Sequence, residues 1–399
     1  MSAIIMERVR AAAAAATEYQ EKQGAEDTEA RRITDIMERF LRKKKRVIYG
    51  GAAINAQLPA ADQFYDPRLY LPDYDFMTPT PIQDCEDLMT EFRADGFKEV
   101  ESKLGIHEGT YKVFVNFRSA ADITYIPLEI YKRILKDCRV VNRLFYASPN
   151  WLRMNMYLEL SRPAGMVSRW EKVYQRLLLL NKTYPLRDCN PKQHRPVLQS
   201  DLQQQIVDEG IAEGAIFLTV RGLQKPKEME PIVLMMTDKI VSLSSSLREL
   251  GLIETRFEAQ GELLPARSEF RSQSILVCVV FATVACHAYT PVGTLRLASL
   301  DLLIQMYYAL YFMELRSYVP VSILCTIQRL IELEAKRRAD PGIPLQEAFP
   351  LACMGHQPTM PELKRAHRAR LLEYSKKRKT RKTMKAMKAN KQPIVTLTQ

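Results

Sequence analysis

Two aspartates one residue apart, Asp73 and Asp75, stand in the string Leu-Pro-Asp-Tyr-Asp-Phe, downstream of Val-Ile-Tyr-Gly-Gly, which ends at Gly51. In an extended segment, residues two apart project to the same side. Both carboxylates therefore face one way, while Tyr74 and Phe76 are free to pack behind them. Two close carboxylates repel, and one of them keeps its proton unless a cation sits between. A few carboxylates together with substrate phosphates are the usual ligands of Mg²⁺, so Mg²⁺ or Mn²⁺ is the expected ion. Gly50 and Gly51 carry no side chain, which lets backbone amides approach a phosphate closely.

An acid-x-acid pair alone is weak. With 46 acids among 399 residues, about five such pairs arise by chance, and a solvated strand face is the plain reading. The surroundings strengthen it. The double glycine follows a short apolar strand and opens a helix-like stretch from Ala52 to Leu58. Two further strands are expected from Tyr111 to Phe117 and from Ala121 to Ile126, the second with Asp122 inside an apolar run. A buried acid is costly unless it is paired or binds a metal. Three carboxylates on one sheet face, Asp73, Asp75 and Asp122, make a two-metal site the expectation, and phosphoryl transfer the reaction class. Asp73 and Asp75 would hold the metal bound to a nucleoside triphosphate. Asp122 would bind the second metal and lower the pKa of an attacking 3′-hydroxyl. The amides of Gly50 and Gly51 would cradle the β- and γ-phosphates. No Walker loop is present or needed.

At these residues the chain resembles a known family. Gly-Gly, Asp-x-Asp and a third strand-borne Asp form the pattern of the polymerase-β-like nucleotidyltransferases. The strings from Tyr49, Leu71, His107, Ala121 and Ser168 are similar to those of the poly(A) polymerase catalytic subunits of poxviruses and giant viruses. Together they cover most of residues 47–180. The stretch between Gly51 and Asp73 is longer than the superfamily's usual spacer, a length the viral branch tolerates. The resemblance implies template-independent addition of adenylate from ATP to the 3′ end of mRNA, and it alone supplies adenine and poly(A). It also implies nucleotide contacts from Ser168, Arg169 and Lys172, and either a homodimer or a methyltransferase-like stimulatory partner. The implied setting is cytoplasmic, in the viral factory or virion of a large DNA virus. Two alternatives stand beside it: addition of one or a few nucleotides to another RNA or a small acceptor, and a catalytically silent RNA-binding subunit.

The net charge of +12 is unevenly spread. From Lys364 to Lys391 there are thirteen Lys/Arg and one acid, so the rest of the chain is close to neutral. The run Lys376, Lys377, Arg378, Lys379, Arg381 and Lys382 is expected to contact RNA, with an affinity that falls as salt rises. A solubilising or targeting tail is the rival reading. Seven cysteines form no Cys-x-x-Cys pair, which argues against a zinc ribbon and a disulfide framework and suits a reducing compartment. No secretory leader is apparent, and the most apolar stretch, Ile275 to Cys286, is too short to span a bilayer, so no membrane partner is expected.

These residues need a scaffold, and the sequence points to an α+β one: a mixed-sheet nucleotidyltransferase core with flanking helices, then a second α+β domain. Residues 1–46 read as helical, with Asp27 or Thr28 as a cap. The block from Arg42 to Arg46 suits a helix C-terminus, with phosphate contact as the alternative. The catalytic domain is placed at 47–185, with a helix from Ile82 to Ala94 stopped by Gly96, and with Trp170, Val173, Leu177 and Leu180 as a core stripe opposite Lys172 and Arg176. A proline-rich linker is placed at 186–199, the second domain at 200–363, and the basic tail at 364–399. Gly214 to Leu223 reads as a faded copy of the first strand and turn, which makes a degenerate duplicate one reading of the second domain. Leu297 to Leu315 reads as a buried helix.

Overall fold

Helical periodicity decides the N-terminal stretch. In the computed structural model, which describes residues 2–66, 72–186, 200–219, 232–260, 264–314 and 323–373, α1 (Ser2–Glu26) leads into α2 (Thr28–Lys44). Asp27 is the α2 cap, accepting from the Glu29 and Ala30 amides. Ile33, Ile36, Met37, Phe40 and Leu41 form its buried stripe. The first sheet is then built from β1 (Val47–Tyr49), β2 (Tyr74–Thr78), β3 (Val100–Leu104), β4 (Thr110–Val115), β5 (Arg118–Tyr125), β6 (Arg139–Val141) and β7 (Leu144–Tyr146). Its seven strands run in the order β3-β4-β5-β2-β1-β7-β6. Between and after them come α3 (Gly50–Gln57), α4 (Pro81–Ala94), α5 (Leu128–Asp137), α6 (Pro149–Leu160) and α7 (Trp170–Thr183).

The basic block at the end of α2 is used in pairing. Arg42 bonds Glu38, Lys43 reaches Glu91 at 2.9 Å, Lys44 reaches Asp87 at 2.5 Å, and Arg46 grips the buried Asp84 at 2.7 Å. Three of these acids lie on α4, so the block ties α2 to α4. Gly96, at φ 96°, follows α4 as the sequence predicts. Tyr74 and Phe76 pack toward α2, with the Tyr74 hydroxyl on Glu38 and the Phe76 ring 6.1 Å from Phe40. By strand alternation, Asp75 and Met77 face the other way.

The second half repeats the first. After α8 (Ser200–Ala212) come β8 (Ile216–Phe217), β9 (Val233–Thr237), α9 (Ile240–Glu249), β10 (Ile253–Phe257), β11 (Arg267–Ser272), β12 (Ile275–Ala282), β13 (His287–Val292), β14 (Leu295–Ala298), α10 (Leu300–Phe312), α11 (Ile323–Ala339) and β15 (Cys353–Met354). Residues 360–373 are helical. The second sheet has the order β10-β11-β12-β9-β8-β14-β13-β15. With β8 counted as β1, this is the first order with one strand added. The directions agree: β2 pairs parallel with β5 as β9 does with β12, and β1 pairs parallel with β7 as β8 does with β14. Local details recur too. Thr78 and Thr237 each accept from the amide two residues on, and Ser148 and Ser299 cap α6 and α10. The helix expected from Leu297 to Leu315 is α10. Its Tyr307, Tyr308 and Phe312 are buried, and Phe312 meets Trp151 of α6 edge-on at 5.0 Å.

The cysteine expectation fails in one place. Cys286 and Cys353 form a disulfide joining the start of β13 to β15, across a sequence separation of 67. No local spacing marks this pair; it arises because β13 and β15 are sheet neighbours, with Ala288 opposite Cys353. Cys85, Cys138 and Cys278 are free. Of the linker placed at 186–199, only residue 186 is described. Among the described residues, no helix is long and apolar enough to cross a membrane.

Candidate active site

The site forms where β1 turns into α3. Gly50 sits at φ +73°, a region that disfavours any residue with a Cβ. The turn is also tight against β2: a Cβ on Gly50 would lie 2.6 Å from Asp75 Oδ2. The amides that open α3 thus stand beside the Asp75 carboxylate, as donors at a helix start.

Asp75 lies opposite Asp122 on the neighbouring parallel strand β5, and Asp73 immediately precedes β2. In-register neighbours share a face, so the structure puts the expected acids together. Their electrostatics confirm the closeness. Burial first, then the charges of Asp73 and Asp122, push the Asp75 carboxyl up to about 7. Burial and then Asp122 raise Asp73, while Lys112 pulls it back down. Lys112, opposite Asp122 on β4, forms an ion pair with Asp122 Oδ2. Asp122 Oδ1 is buried without a partner. As placed, no set of three or more His, Cys, Asp and Glu side chains among the described residues closes around a common point. The Lys112 ammonium engages the carboxylate that a second ion would need.

Arg176, which the sequence set beside Lys172 on the outer face of α7 but not at the glycines, covers the turn. A Cβ on Gly51 would meet the Arg176 guanidinium at 3.0 Å and the Tyr65 hydroxyl at 3.2 Å. Arg176 donates to Tyr65 Oη at 2.8 Å and lies 4.3 Å from the centre of the Phe64 ring. Those aromatics are placed by the buried Asn55 of α3. Its side-chain oxygen accepts from the Phe64 and Tyr65 amides at 2.8 and 2.9 Å, and its amide donates to the Tyr65 carbonyl at 3.0 Å. One residue of the glycine-rich string therefore fixes a loop that fixes an arginine. The available signal was the i, i+4 spacing of Lys172 and Arg176 on α7.

The other expected nucleotide contacts are less gathered. Arg169 pairs with Glu159 at 2.8 Å, and its charge draws the Asp75 carboxyl down. Ser168, in the turn before α7, and Lys172, on α7, are both exposed. Neither has a described contact with the acids; Lys172 shares the helix face of Arg176, one turn earlier. Lys376, Lys377, Arg378, Lys379, Arg381 and Lys382 lie outside the described residues.

In the second sheet the same register positions are apolar. Leu234 stands where Asp75 does and Val279 where Asp122 does, paired with each other and buried. Leu218, just past β8, donates its amide to the Leu234 carbonyl at 2.9 Å and is followed by no glycine pair. The repeat keeps the scaffold and lacks the acids.

Comparison with known proteins agrees with this geometry. Residues 35–166 match the family described as "Poly(A) polymerase catalytic subunit". Over 182 residues the chain is 32% identical to a protein of Acanthamoeba polyphaga mimivirus that carries the same name, covering 45% of this chain and 31% of that protein. Over 176 residues it is 28% identical to the African swine fever virus protein so named (strain Badajoz 1971 Vero-adapted), covering 42% of this chain and 36% of that one. The matched stretch thus spans about a third of the length of these curated relatives. In three dimensions the chain is similar to the crystal structure of the Megavirus polyadenylate synthase, with a TM-score of 0.79 at 20% identity over 93% of this chain and 83% of that one. The fold is therefore that of a viral polyadenylate synthase, built on a mixed-sheet core and its repeat.

Proposed function

We propose that this chain is a polynucleotide adenylyltransferase that extends the 3′ end of RNA from ATP without a template. One observation carries the reading: Asp75 and Asp122 lie side by side on parallel strands, next to a bare glycine turn crowned by Arg176. The residues fit a divalent cation. A buried carboxylate oxygen of Asp122 has no partner, and burial, then the charges of Asp73 and Asp122, push the Asp75 carboxyl up to about 7. A cation beside Asp73, Asp75 and Asp122 relieves both. When bound there, Mg²⁺ or Mn²⁺ neutralises triphosphate charge and acidifies the incoming 3′-hydroxyl.

The protein's own groups do the positioning, which is most of what phosphoryl transfer asks. The Gly50 and Gly51 amides donate to phosphate oxygens at the α3 start. Arg176 presents a planar fork to the same oxygens, with its orientation held by Tyr65 and Phe64. Lys172 and Arg169 extend the positive edge, and Ser168 adds a hydroxyl at the start of α7. Lys112 holds Asp122 in place until the substrate arrives. Adenine, ATP and poly(A) come from the likeness to the viral proteins, which are named as catalytic subunits. That name supports a partner subunit here; a homodimer and a viral factory or virion as the setting rest on the sequence resemblance alone. The Cys286–Cys353 bond persists or opens according to the redox state of that setting.

The test is direct. Purified chain with Mg²⁺ or Mn²⁺ and a short RNA is offered each of the four nucleoside triphosphates in turn. Long extension with ATP alone supports the reading. Indifference to the base, or transfer to a protein hydroxyl, overturns polyadenylation. Asp75→Asn should fold and lose more than about 100-fold in rate, roughly 3 kcal/mol of transition-state stabilisation. An active variant would overturn the acid site itself.

A further inference from the structure

The active-site acids belong to a longer row. Tyr49, Asp75, Asp122, Lys112 and Lys103 are register partners across β1, β2, β5, β4 and β3, so they lie side by side on one face of the sheet. Neighbouring strands are about 5 Å apart. Lys112 therefore stands about one strand spacing from Asp122, and Lys103 about two. The row changes from acids to lysines toward the β3 edge, with Lys112 paired to Asp122 and Lys103 to the exposed Glu101 beside it, pairs that a phosphate backbone would compete for. Lys103 also lies 5.0 Å from the centre of the half-buried Phe114 ring.

Just past Lys103 and Lys112, the turn between β3 and β4 is covered by the helix at 360–373. His367 Nε2 is 3.0 Å from the Leu104 carbonyl, and Arg370 donates to the Ile106 carbonyl at 2.7 Å. Leu363, His367 and Arg370, at i, i+4 and i+7, are half-buried and form the docked face. The helix start is fixed as well: Thr359 and Glu362 exchange hydrogen bonds as a capping box, and the upstream chain is tied by β15 and its disulfide. On the outward side, Lys364, Arg365 and Arg368 are exposed, with no ion pair or hydrogen bond described for any of them. Three unpaired cations in little more than one turn, on a helix anchored this firmly, ask for an anionic partner that lies along the surface.

We propose that the RNA backbone 5′ of the reacting end runs from the acids along Lys112 and Lys103 and over the outer face of the helix at 360–373, where Lys364, Arg365 and Arg368 take its phosphates. This rests on the nucleotidyl-transfer reading only for where the 3′ end lies; the helix contacts stand by themselves. Single-stranded nucleic acid suits the surface, because a positive groove with an aromatic edge tracks a backbone without reading its sequence. A short primer ends before the helix, so the helix contributes to long RNA alone.

The experiment measures RNA binding by the full chain, without ATP or metal, by anisotropy of a labelled single strand across a salt series. The variant K364Q/R365Q/R368Q should weaken binding of a long strand by about tenfold or more and reduce the salt slope by roughly 2, for three contacts at about 0.7 each. The control K239Q/R248Q/R256Q, an equal loss of charge around α9 and β10, should leave the slope as it was. R370A, which removes an anchor while keeping the outer cations, should also weaken the long strand, and circular dichroism should show both helix variants folded. In turnover, the outer-face variant should raise KM for long RNA much more than for a primer of a few nucleotides. An unchanged slope and an unchanged KM ratio overturn the track, whatever else the patch binds. Because binding is read without chemistry, an inactive chain that still shows the slope change upholds the track and overturns only the transferase reading.

Discussion

Adding one carbon at Gly50 probes the site more sharply than removing an acid. In Gly50→Ala the new methyl carbon must sit at φ +73°, which costs an L-residue about 1–2 kcal/mol of folding stability. It would also lie 2.6 Å from Asp75 Oδ2, about 0.8 Å inside ordinary van der Waals contact. Asp75 is on a paired strand and Gly50 is on a helix start, so neither backbone yields easily, and the carboxylate must swing. Misplacing a reacting group by about 1 Å costs on the order of 100-fold, or about 2.7 kcal/mol of barrier. Gly51→Ala is the matched comparison. Its methyl would meet the ends of two side chains, Arg176 at 3.0 Å and the Tyr65 hydroxyl at 3.2 Å, and its backbone needs no positive φ. Those ends can give by a few tenths of an ångström, so the loss should stay under about tenfold and fall mainly on KM for ATP. Incorporation of labelled adenylate at saturating RNA, with urea melts of both variants, checks the pair. If Gly50→Ala keeps a rate within about threefold of the parent while folded, the turn does not hold the Asp75 carboxylate in its working position.

Arg176→Gln should raise KM for ATP by about tenfold, and lysine at this position should rescue poorly because a point charge lacks the fork that Tyr65 orients; equal KM values in parent and variant would remove Arg176 from the site. In chelator, the Asp75 carboxyl keeps its proton to about 7 in the folded chain and only to about 4 in the unfolded chain. The folded state therefore holds the extra proton between those limits, and this stability is full at the acid end and lost as pH rises to about 7. The ion-free melting temperature should thus fall across that window relative to Asp75→Asn, and Mn²⁺ should stabilise more at about pH 8 than at about pH 6, where it competes with the proton; a metal effect independent of pH would contradict the acid pair. Opening the Cys286–Cys353 bond, by reductant or as Cys353→Ser, releases a loop spanning 67 residues and should cost up to about 4 kcal/mol, read as the urea midpoint. Identical midpoints would mean that the thiols are not joined.

The sequence by itself settled what local chemistry can settle. Apolar spacing set α2 and its Asp27 cap, Gly96 followed α4, alternation turned Asp75 away from Tyr74 and Phe76, and two glycines marked a tight turn at Gly50. The sequence expected Asp122 on the face of Asp75, but its register there, Lys112 on Asp122, Arg176 above Gly51 and Cys286 against Cys353 came only with the tertiary structure. So did the matching strand orders, which turn one faded strand into a full repeat with Leu234 and Val279 in place of the acids. The division has a physical reason. Periodicity and turn residues act through each residue's own dihedral preferences, whereas the register of strands far apart in the chain is fixed by burying both faces of a sheet at once, and no short window of sequence carries that constraint.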